Sequence, residues 1–414
     1  MIFGLCASAV FGTLLGLFYA LQTFLIDELW ISPRVSPLQN AVTLVLVGAM
    51  ILITTHFFGQ LPQNYGKIRL QLRESGTANY RFVLLQMIFP AFILISGTSL
   101  GPEATLVSST LLYGTWLRDK LRYYDLHFYL LQRFSGWQKW RRLLAINKYV
   151  LRTPVDSPAM LPLSARLKKV LTLAFFANGV LWFVIVFMLS GEPGLVIRIG
   201  SSHWQGKAWV ILLPLLFFSY FSGQVFYKLM VRIKQFAALN IQRPFFEVLL
   251  GGLVIFAAGL IAPEMLFSGQ HNFHLFTTGW QSKSIAYLMM VALGKLVLLT
   301  ICKQTGWLGG DIFPVLFSVT TIGFVIAHFL PSVDQIFAVV IVAIGMGTAI
   351  LGSPILVGSL IGIMFAPLNL LPLVIVATIV LKIWQDYLAD RVNVAYFKDI
   401  YDKTKWSSRV DNWS

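Results

Sequence analysis

The sequence predicts an all-α, polytopic membrane protein. Hydrophobic residues make up 57% of its 414 positions and charged residues only 12%, which is about half the charge of an average soluble domain. Many apolar runs approach the ~20 residues that a helix needs to cross a bilayer. Helices are expected rather than an open sheet, because lipid cannot satisfy the backbone groups of a sheet edge. The length fits one membrane domain without a large soluble one.

The charge and the cysteine content exclude several classes of protein. The net charge of +15 is interpreted as the excess of Lys and Arg in cytoplasmic loops, and not as a nucleic-acid-binding surface. Cys6 and Cys302 lie far apart in or beside apolar runs, so neither a disulfide framework nor a metal site is expected. No cofactor and no enzymatic activity are expected, because no nucleophile–base pair or metal-ligand spacing stands out. The apolar N-terminus lacks a basic n-region and is expected to be a retained helix.

The apolar pattern divides the chain into two halves. We expect a first half of the membrane domain at residues 1–205, a second half at 206–390 and a short cytoplasmic tail at 391–414. Gly4, Gly12 and Gly16 share one face of the first run, which is typical of closely packed helices. The apolar runs are Phe3–Ile26, Leu38–Phe58, Phe82–Ile95, Leu106–Leu117, Val170–Leu189, Ala208–Met230, Phe246–Leu266, Ile285–Ile301, Ile312–Phe329, Gln335–Leu351, Pro354–Met364 and Leu370–Tyr387.

The first interruption of this pattern is the stretch SGTSLGPEATLV at residues 96–107. Its Gly-Pro-Glu sequence predicts a helix start, because Pro is favoured at the first helical position. Glu103 and the free amides of Glu103, Ala104 and Thr105 are then expected at the positive end of a helix dipole. An acid in the first turn is common in any helix, but inside a membrane it is costly and is a functional candidate.

A second interruption of the same kind occurs late in the chain, in TGWLGGDIFP at residues 305–314. The run Ile285–Ile301 ends in glycines, and a new run begins near Ile312. Two glycine-interrupted hydrophobic segments in corresponding halves point to a binding site near the bilayer midplane. Since helix N-termini bind anions through their free amides, the site is expected to take an anion.

The two interruptions, together with a third motif, carry a resemblance to a known family. They resemble, in the same order, motifs of the CLC chloride channels and proton/chloride antiporters, over roughly Phe3–Tyr396. The resemblance implies a CLC-like inverted repeat of tilted and broken helices, and a homodimer in the cell membrane with chloride or another small anion as ligand. The motifs are Gly97–Glu103, Gly309–Pro314, and Gly345-Met346 with Pro354 downstream.

The same resemblance implies a set of site residues, and several positions depart from the family pattern. The family's serine that contacts the central anion is replaced by Gly59, which offers only its amide. Asp311 stands where the family has an apolar residue, and is interpreted as a helix N-cap; pointed at the pathway, it would repel anions. Glu103 is assigned the gate, and the anion contacts are Gly59, Gly101, Ala104, Thr105, Asp311, Ile312, Phe313 and Tyr396, with Tyr387 and Tyr401 as competing tyrosines.

The segment at residues 118–169 is basic, and two interpretations remain open for it. It suits either an amphipathic surface on the cytoplasmic leaflet or a solvated basic loop. In the family's antiporters, a helix of this region bears the glutamate that takes protons from the cytoplasm. No Glu occurs between Glu103 and Glu192, and Glu192 lies in a predicted turn. Proton coupling therefore lacks a recognisable internal carrier.

Lys295 interrupts the middle of an apolar run, where a charge needs a partner or a wet cavity. It is expected either to snorkel toward one membrane face or to tune the potential around the anion.

By resemblance, the expected function is anion transport gated by Glu103. Its ionised carboxylate would occupy the outer anion site, and protonation would release it. The alternatives are a proton-coupled or fluoride-selective antiporter and a non-transporting membrane scaffold derived from the same fold.

Overall fold

The computed structural model describes residues 1–31, 36–145, 147–152, 165–191, 197–240, 243–269 and 279–388. Within these ranges the chain consists of helices and loops, and no β-strand is present. Gly101 and Gly310 form an isolated antiparallel bridge. These observations confirm the all-α class predicted from composition.

The helix bounds follow the apolar runs of the sequence closely. Helix α1 continues into a π turn at Asp27–Ile31, and α14 continues into one at Ile361–Phe365. The helices are α1 (Ile2–Ile26), α2 (Pro37–Phe58), α3 (Tyr65–Ser75), α4 (Leu85–Leu94), α5 (Glu103–Leu126), α6 (Phe128–Gln132), α7 (Gly136–Leu144), α8 (Ala165–Leu189), α9 (Ala208–Asn240), α10 (Pro244–Ile261), α11 (Ile285–Gln304), α12 (Ile312–His328), α13 (Gln335–Leu351), α14 (Pro354–Leu360) and α15 (Leu368–Leu388).

Seven of the described helices are long and apolar enough to cross a bilayer, namely α1, α2, α8, α9, α10, α11 and α15. The chain is therefore a multi-pass membrane protein. The apolar helices α4, α12, α13 and α14 are shorter, with 10–17 residues each, counting the π turn of α14. At 1.5 Å per residue they extend less than about 27 Å, so they are too short to span a ~30 Å hydrocarbon core without tilt or a partner. This mixture of full and partial spans matches the predicted pattern of broken helices.

The residues pack as two compact units whose segments interleave along the chain. The first unit comprises Met1–Gly194, Arg232–Asn272 and Leu293–Pro314. The second comprises Leu195–Val231, Phe273–Ala292 and the residues from Val315 onward.

In the first unit, α1 packs closely and in parallel against α8. Three glycines of α1 make this possible, as their spacing predicts. A Cβ added to Gly4, Gly12 or Gly16 would collide with Phe175, Gly179 or Val186 of α8 respectively. The amide of Asn178 also donates to Leu5 O (2.9 Å) and to Ser8 Oγ (2.8 Å).

Helix α5 runs antiparallel to α1 in the same unit. Tyr113 donates its hydroxyl to Ala7 O (2.9 Å) and stacks on Phe11 with ring centroids 4.1 Å apart. Three residues later, Trp116 contacts Phe3 with ring centroids 6.3 Å apart. Because later residues of α5 contact earlier residues of α1, the C-terminal part of α5 lies beside the start of α1.

In the second unit, α13 forms the core, and nearly all of its side chains are buried. Its Gly345 lies against Leu216 and Ser219 of α9, and a Cβ there would overlap both. Gly347, Gly358 and Gly362 also have close neighbours. Gly352 differs, because it adopts φ +73° at the C-terminus of α13 and has open space around it.

Candidate functional site

The loop between α4 and α5 is held by its own hydroxyl groups. Ser96 and Thr98 donate their hydroxyls to Ile93 O (2.7 and 3.0 Å), which satisfies a carbonyl at the end of α4. Ser99 donates to Lys295 O (3.3 Å) on α11. Gly97 adopts φ +82° and lies against the ring of Trp30, so a side chain at this position would be strained and would clash.

The loop between α11 and α12 also contains a glycine in a left-handed backbone conformation. Gly306 has φ +82°, and the next amide, of Trp307, returns to Cys302 O (3.1 Å) at the end of α11. The indole of Trp307 is fully buried and donates to Val248 O (3.1 Å). These contacts fix the direction in which the chain enters α12.

The two loops join through a pair of backbone hydrogen bonds. Gly101 donates to Gly310 O (2.9 Å), and Gly310 donates to Gly101 O (2.7 Å). As a result, α5 begins two residues after one end of the bridge, and α12 begins two residues after the other. Both helix N-termini, with their unpaired amides and positive dipole ends, therefore lie beside the same bridge.

The Glu103 carboxyl group occupies the space between these N-termini. Its Oε1 accepts a hydrogen bond from the amide of Phe313 (3.1 Å), and the amides of Ile312 and of Glu103 itself also interact with it. The side chain is only 8% exposed. A Cβ on Gly101 or Gly310 would overlap the carboxyl group, so both glycines are needed to accommodate it. Its second oxygen, Oε2, has no hydrogen-bond partner in the described part of the chain.

This site lies deep within the membrane. Phe3 is in the first turn of the spanning helix α1, so its contact with Trp116 marks the level of one membrane boundary. Glu103 precedes Trp116 by thirteen residues of continuous helix, which corresponds to about 20 Å along α5. With a ~30 Å hydrocarbon core, Glu103 is far from this boundary and closer to the middle of the bilayer than to the surface.

The arrangement is suited to holding a dehydrated anion. Backbone amides at two helix N-termini replace hydration water without placing a full positive charge on the ligand. In this structure the Phe313 amide binds the Glu103 carboxyl group, whose ionised form is chemically similar to a small bound anion.

A family model described as voltage gated chloride channel matches residues 163–384, which is more than half of the chain. The chain belongs to this family. The match covers the α11–α12 loop with Ile312 and Phe313, whereas Glu103 lies before it.

Solved structures of CLC proteins share the fold. The crystal structure of a CLC-type fluoride/proton antiporter matches with a TM-score of 0.64 and 16% identity, covering 90% of this chain and 92% of that one. The structure of a slow cyanobacterial Cl⁻/H⁺ antiporter matches with a TM-score of 0.63 and 17% identity, covering 94% and 98%. No curated protein matches the chain significantly.

The remaining residues predicted for the CLC anion site are placed less uniformly. Gly59 is exposed at the C-terminus of α2, where its amide donates to Thr55 O (3.1 Å) and is therefore already committed to capping that helix. The amide of Gly101 already donates to Gly310 O in the bridge.

Ala104 and Thr105 lie in the first turn of α5 as predicted, and the fully buried Thr105 hydroxyl has no partner among the described residues. Tyr396 lies outside the described residues, as does Tyr401.

Asp311 is not directed at the Glu103 carboxyl group. Its carboxylate forms an ion pair with Lys303 of α11 at 2.5 Å, and both side chains are about two-fifths exposed. Sequence reasoning did not identify Lys303. The sequence did contain a signal for this ion pair. Lys303 is a basic residue in the last turn of α11, eight positions before Asp311, an acid that departs from the CLC pattern.

The snorkelling interpretation of Lys295 is wrong, because its side chain is fully buried. The ammonium group donates to four consecutive carbonyls, those of Glu264, Met265, Leu266 and Phe267, at 2.8 to 3.3 Å. Carbonyl oxygens satisfy the charge locally, so no membrane face needs to be reached. Lys295 thereby connects the segment that follows α10 to α11, whose backbone accepts the hydrogen bond from Ser99.

Proposed function

We propose that this chain transports a small anion, with chloride as the expected ion, along a pathway that Glu103 closes. The observation that carries the proposal is the hydrogen bond from the Phe313 amide to Glu103 Oε1. A carboxylate bound to a helix N-terminus at mid-membrane depth occupies the place that a permeating anion needs. Membership of the voltage gated chloride channel family supports anion transport as the class of function.

The geometry supports a gate that can open. Only one oxygen of the carboxyl group has a hydrogen-bond partner in the described part of the chain. The helix amides favour the ionised form of Glu103. Moving the charged carboxylate away from these amides into a dry interior would cost free energy. Protonation removes the charge that the amides attract, so the side chain can then yield its position to an anion. Low pH on the accessible side should therefore increase flux.

The family resemblance also supports proposals about the oligomeric state and about the transported ion. We expect a homodimer in the cell membrane, with one pathway in each subunit and lipid covering the outer faces of the spans. The anion itself is open between chloride and fluoride, since the serine position of the family carries Gly59. Efflux of the two ions from the same vesicles distinguishes these cases.

The decisive experiment measures chloride efflux from liposomes that contain the purified protein, over a range of external pH. Wild-type protein should conduct more at low pH. Glu103→Gln keeps the size of the side chain but not its charge, and should conduct at a high rate that no longer depends on pH. Glu74→Gln, which changes an exposed acid on α3, is the matched control and should keep the wild-type response.

A second variant tests the position of the carboxyl group without removing it. In Gly310→Ala the new Cβ would collide with Glu103, so the acid must move and flux at neutral pH should rise. Gly114→Ala, at a position of α5 with open space around it, should have no such effect. Absence of efflux from folded wild-type protein would indicate the non-transporting scaffold, and an unchanged pH response in Glu103→Gln would remove Glu103 from the gate.

A further inference from the structure

The short helix α7 lies at one membrane boundary, as its contacts with the spanning helices establish. Trp140 contacts Phe3, in the first turn of α1, with ring centroids 6.1 Å apart. Phe3 in turn contacts Trp116 of α5. Helix α8 runs parallel to α1 with Phe175 beside Gly4, so its first turn, which contains Arg166, Lys168 and Lys169, lies roughly 10–14 Å beyond Phe3 on the same side. One end of the first unit is therefore strongly basic at the level of the lipid headgroups.

Helix α7 presents an apolar face that Phe3 covers only in part, at Trp140. Trp137, Trp140 and Leu144 follow one another at intervals of three and four residues, so they lie on the same side of the helix. They are 75%, 40% and 61% exposed, respectively. The exposed Arg141 lies next to this face, whereas Lys139 lies on the half-buried side of the helix with Arg142. Trp beside Lys and Arg on one helix is the composition of a helix that lies in the plane of a membrane surface.

The rest of the structure holds α7 rigidly to the gating helix. The ammonium group of Lys120 on α5 is fully buried and donates to Arg142 O (3.0 Å) and Lys148 O (2.6 Å). Arg142 lies over the ring of Phe134 at 3.8 Å, and Ser135 caps the helix by accepting from Gln138 N (3.4 Å). With its inner side fixed in this way, the outer face of α7 remains directed away from the protein.

We propose that α7 is a binding site for anionic lipid headgroups, in which Trp137, Trp140 and Leu144 enter the headgroup–acyl boundary while Arg141 binds lipid phosphates. The occupant is the leaflet of the same bilayer, since α1 places this face at its boundary and the charges around it are positive. A basic segment beside a spanning helix is attracted to an anionic leaflet. Because Lys120 of α5 contacts α7 and α5 is continuous from Lys120 back to Glu103, lipid binding at one end of this helix can bias transport at the other.

The test places a nitroxide label at position 137 of full-length protein with Trp137→Cys in a Cys6→Ser background, leaving Cys302 buried. The protein is reconstituted into nanodiscs of phosphatidylcholine alone or with phosphatidylglycerol as a minor component. The ratio of oxygen to nickel-complex relaxation should be higher in the anionic discs than in phosphatidylcholine alone, because the basic surroundings of α7 attract its outer face toward anionic lipid. A label at position 74 on α3 should remain accessible to the nickel complex in both.

Two further arms separate the sources of this effect. The variant Arg141→Gln should lose the preference for phosphatidylglycerol while eluting and folding as the wild type does. Soluble glycerol phosphate added to the phosphatidylcholine discs should not reproduce the shift. A label at 137 that is equally exposed to water in both kinds of disc overturns the proposal, and so does full retention of the lipid preference in Arg141→Gln. Both readouts are independent of anion flux, so they do not depend on the proposed function.

Discussion

Lys303 and Asp311 form an ion pair immediately before the helix whose Phe313 amide holds Glu103. Since both side chains are about two-fifths exposed, the pair contributes little to stability, as is usual for solvated ion pairs. Its electrostatic consequence is larger, because Asp311 alone would place a negative charge next to an anion site. We infer that Lys303 neutralises this charge.

At the residue scale, this inference predicts opposite effects of the two partners on anion flux. Lys303→Gln should lower the initial chloride efflux rate and Asp311→Asn should raise it, each by roughly three- to tenfold, as expected for one unit charge several ångströms from the ion. The double variant should return close to the wild-type rate. Efflux assays at low and high ionic strength provide the measurement, and the differences should shrink in high salt. Equal rates in all four proteins at low salt would contradict the role given to Lys303.

Individual residues also show where sequence reasoning reached its limit. Glu103 could be identified because an acid at a glycine-interrupted helix start is unusual in an apolar chain, and its proximity to Phe313 followed from the family resemblance. Lys295 could not be placed correctly. Its environment is four carbonyls about thirty residues away at the end of α10, and no local pattern encodes that contact.

At the scale of secondary-structure elements, long apolar runs were predictable and short polar helices were not. The run expected at Gln335–Leu351 is helical over those same residues, because hydrophobicity alone fixes a buried helix. The helices α6 and α7 were not anticipated individually within the basic segment. They are too short for periodicity to separate them from a loop, and they depend on tertiary anchors such as Lys120.

The parallel pairing of α1 and α8 gives a prediction about stability. Gly12 lies against the backbone of Gly179, and a Cβ there would collide with it. Gly12→Val should therefore lower the free energy of unfolding by about 1–3 kcal/mol, the usual cost of overpacking. The thermal midpoint in detergent, followed by size-exclusion chromatography, is the measurement. Val10→Leu enlarges an exposed side chain of the same helix and should leave the midpoint unchanged; equal midpoints for both variants would mean that α1 and α8 do not pack this tightly.

At the scale of the whole molecule, buried acids determine whether anion movement can be coupled to protons. Among the described residues, the buried acids are Glu103 and Asp119. Asp119 lies near the opposite end of α5, where it pairs with Arg118 (3.0 Å) and accepts the hydroxyl of Thr77 (2.7 Å). Its carboxylate is thus already engaged by a cation and by a hydroxyl, which assigns Asp119 a structural role at this end of α5.

We therefore predict that anion flux through this protein is passive. In liposomes with equal chloride on both sides, an imposed pH gradient should drive no net chloride uptake, and the reversal potential should stay at the value set by chloride alone. On the proposed gating by Glu103, the gradient should still change the rate of flux. Asp119→Asn should leave the reversal potential where it was. If a pH gradient does drive chloride uptake and Asp119→Asn abolishes it, then Asp119 exchanges its proton despite Arg118, and the protein is an exchanger.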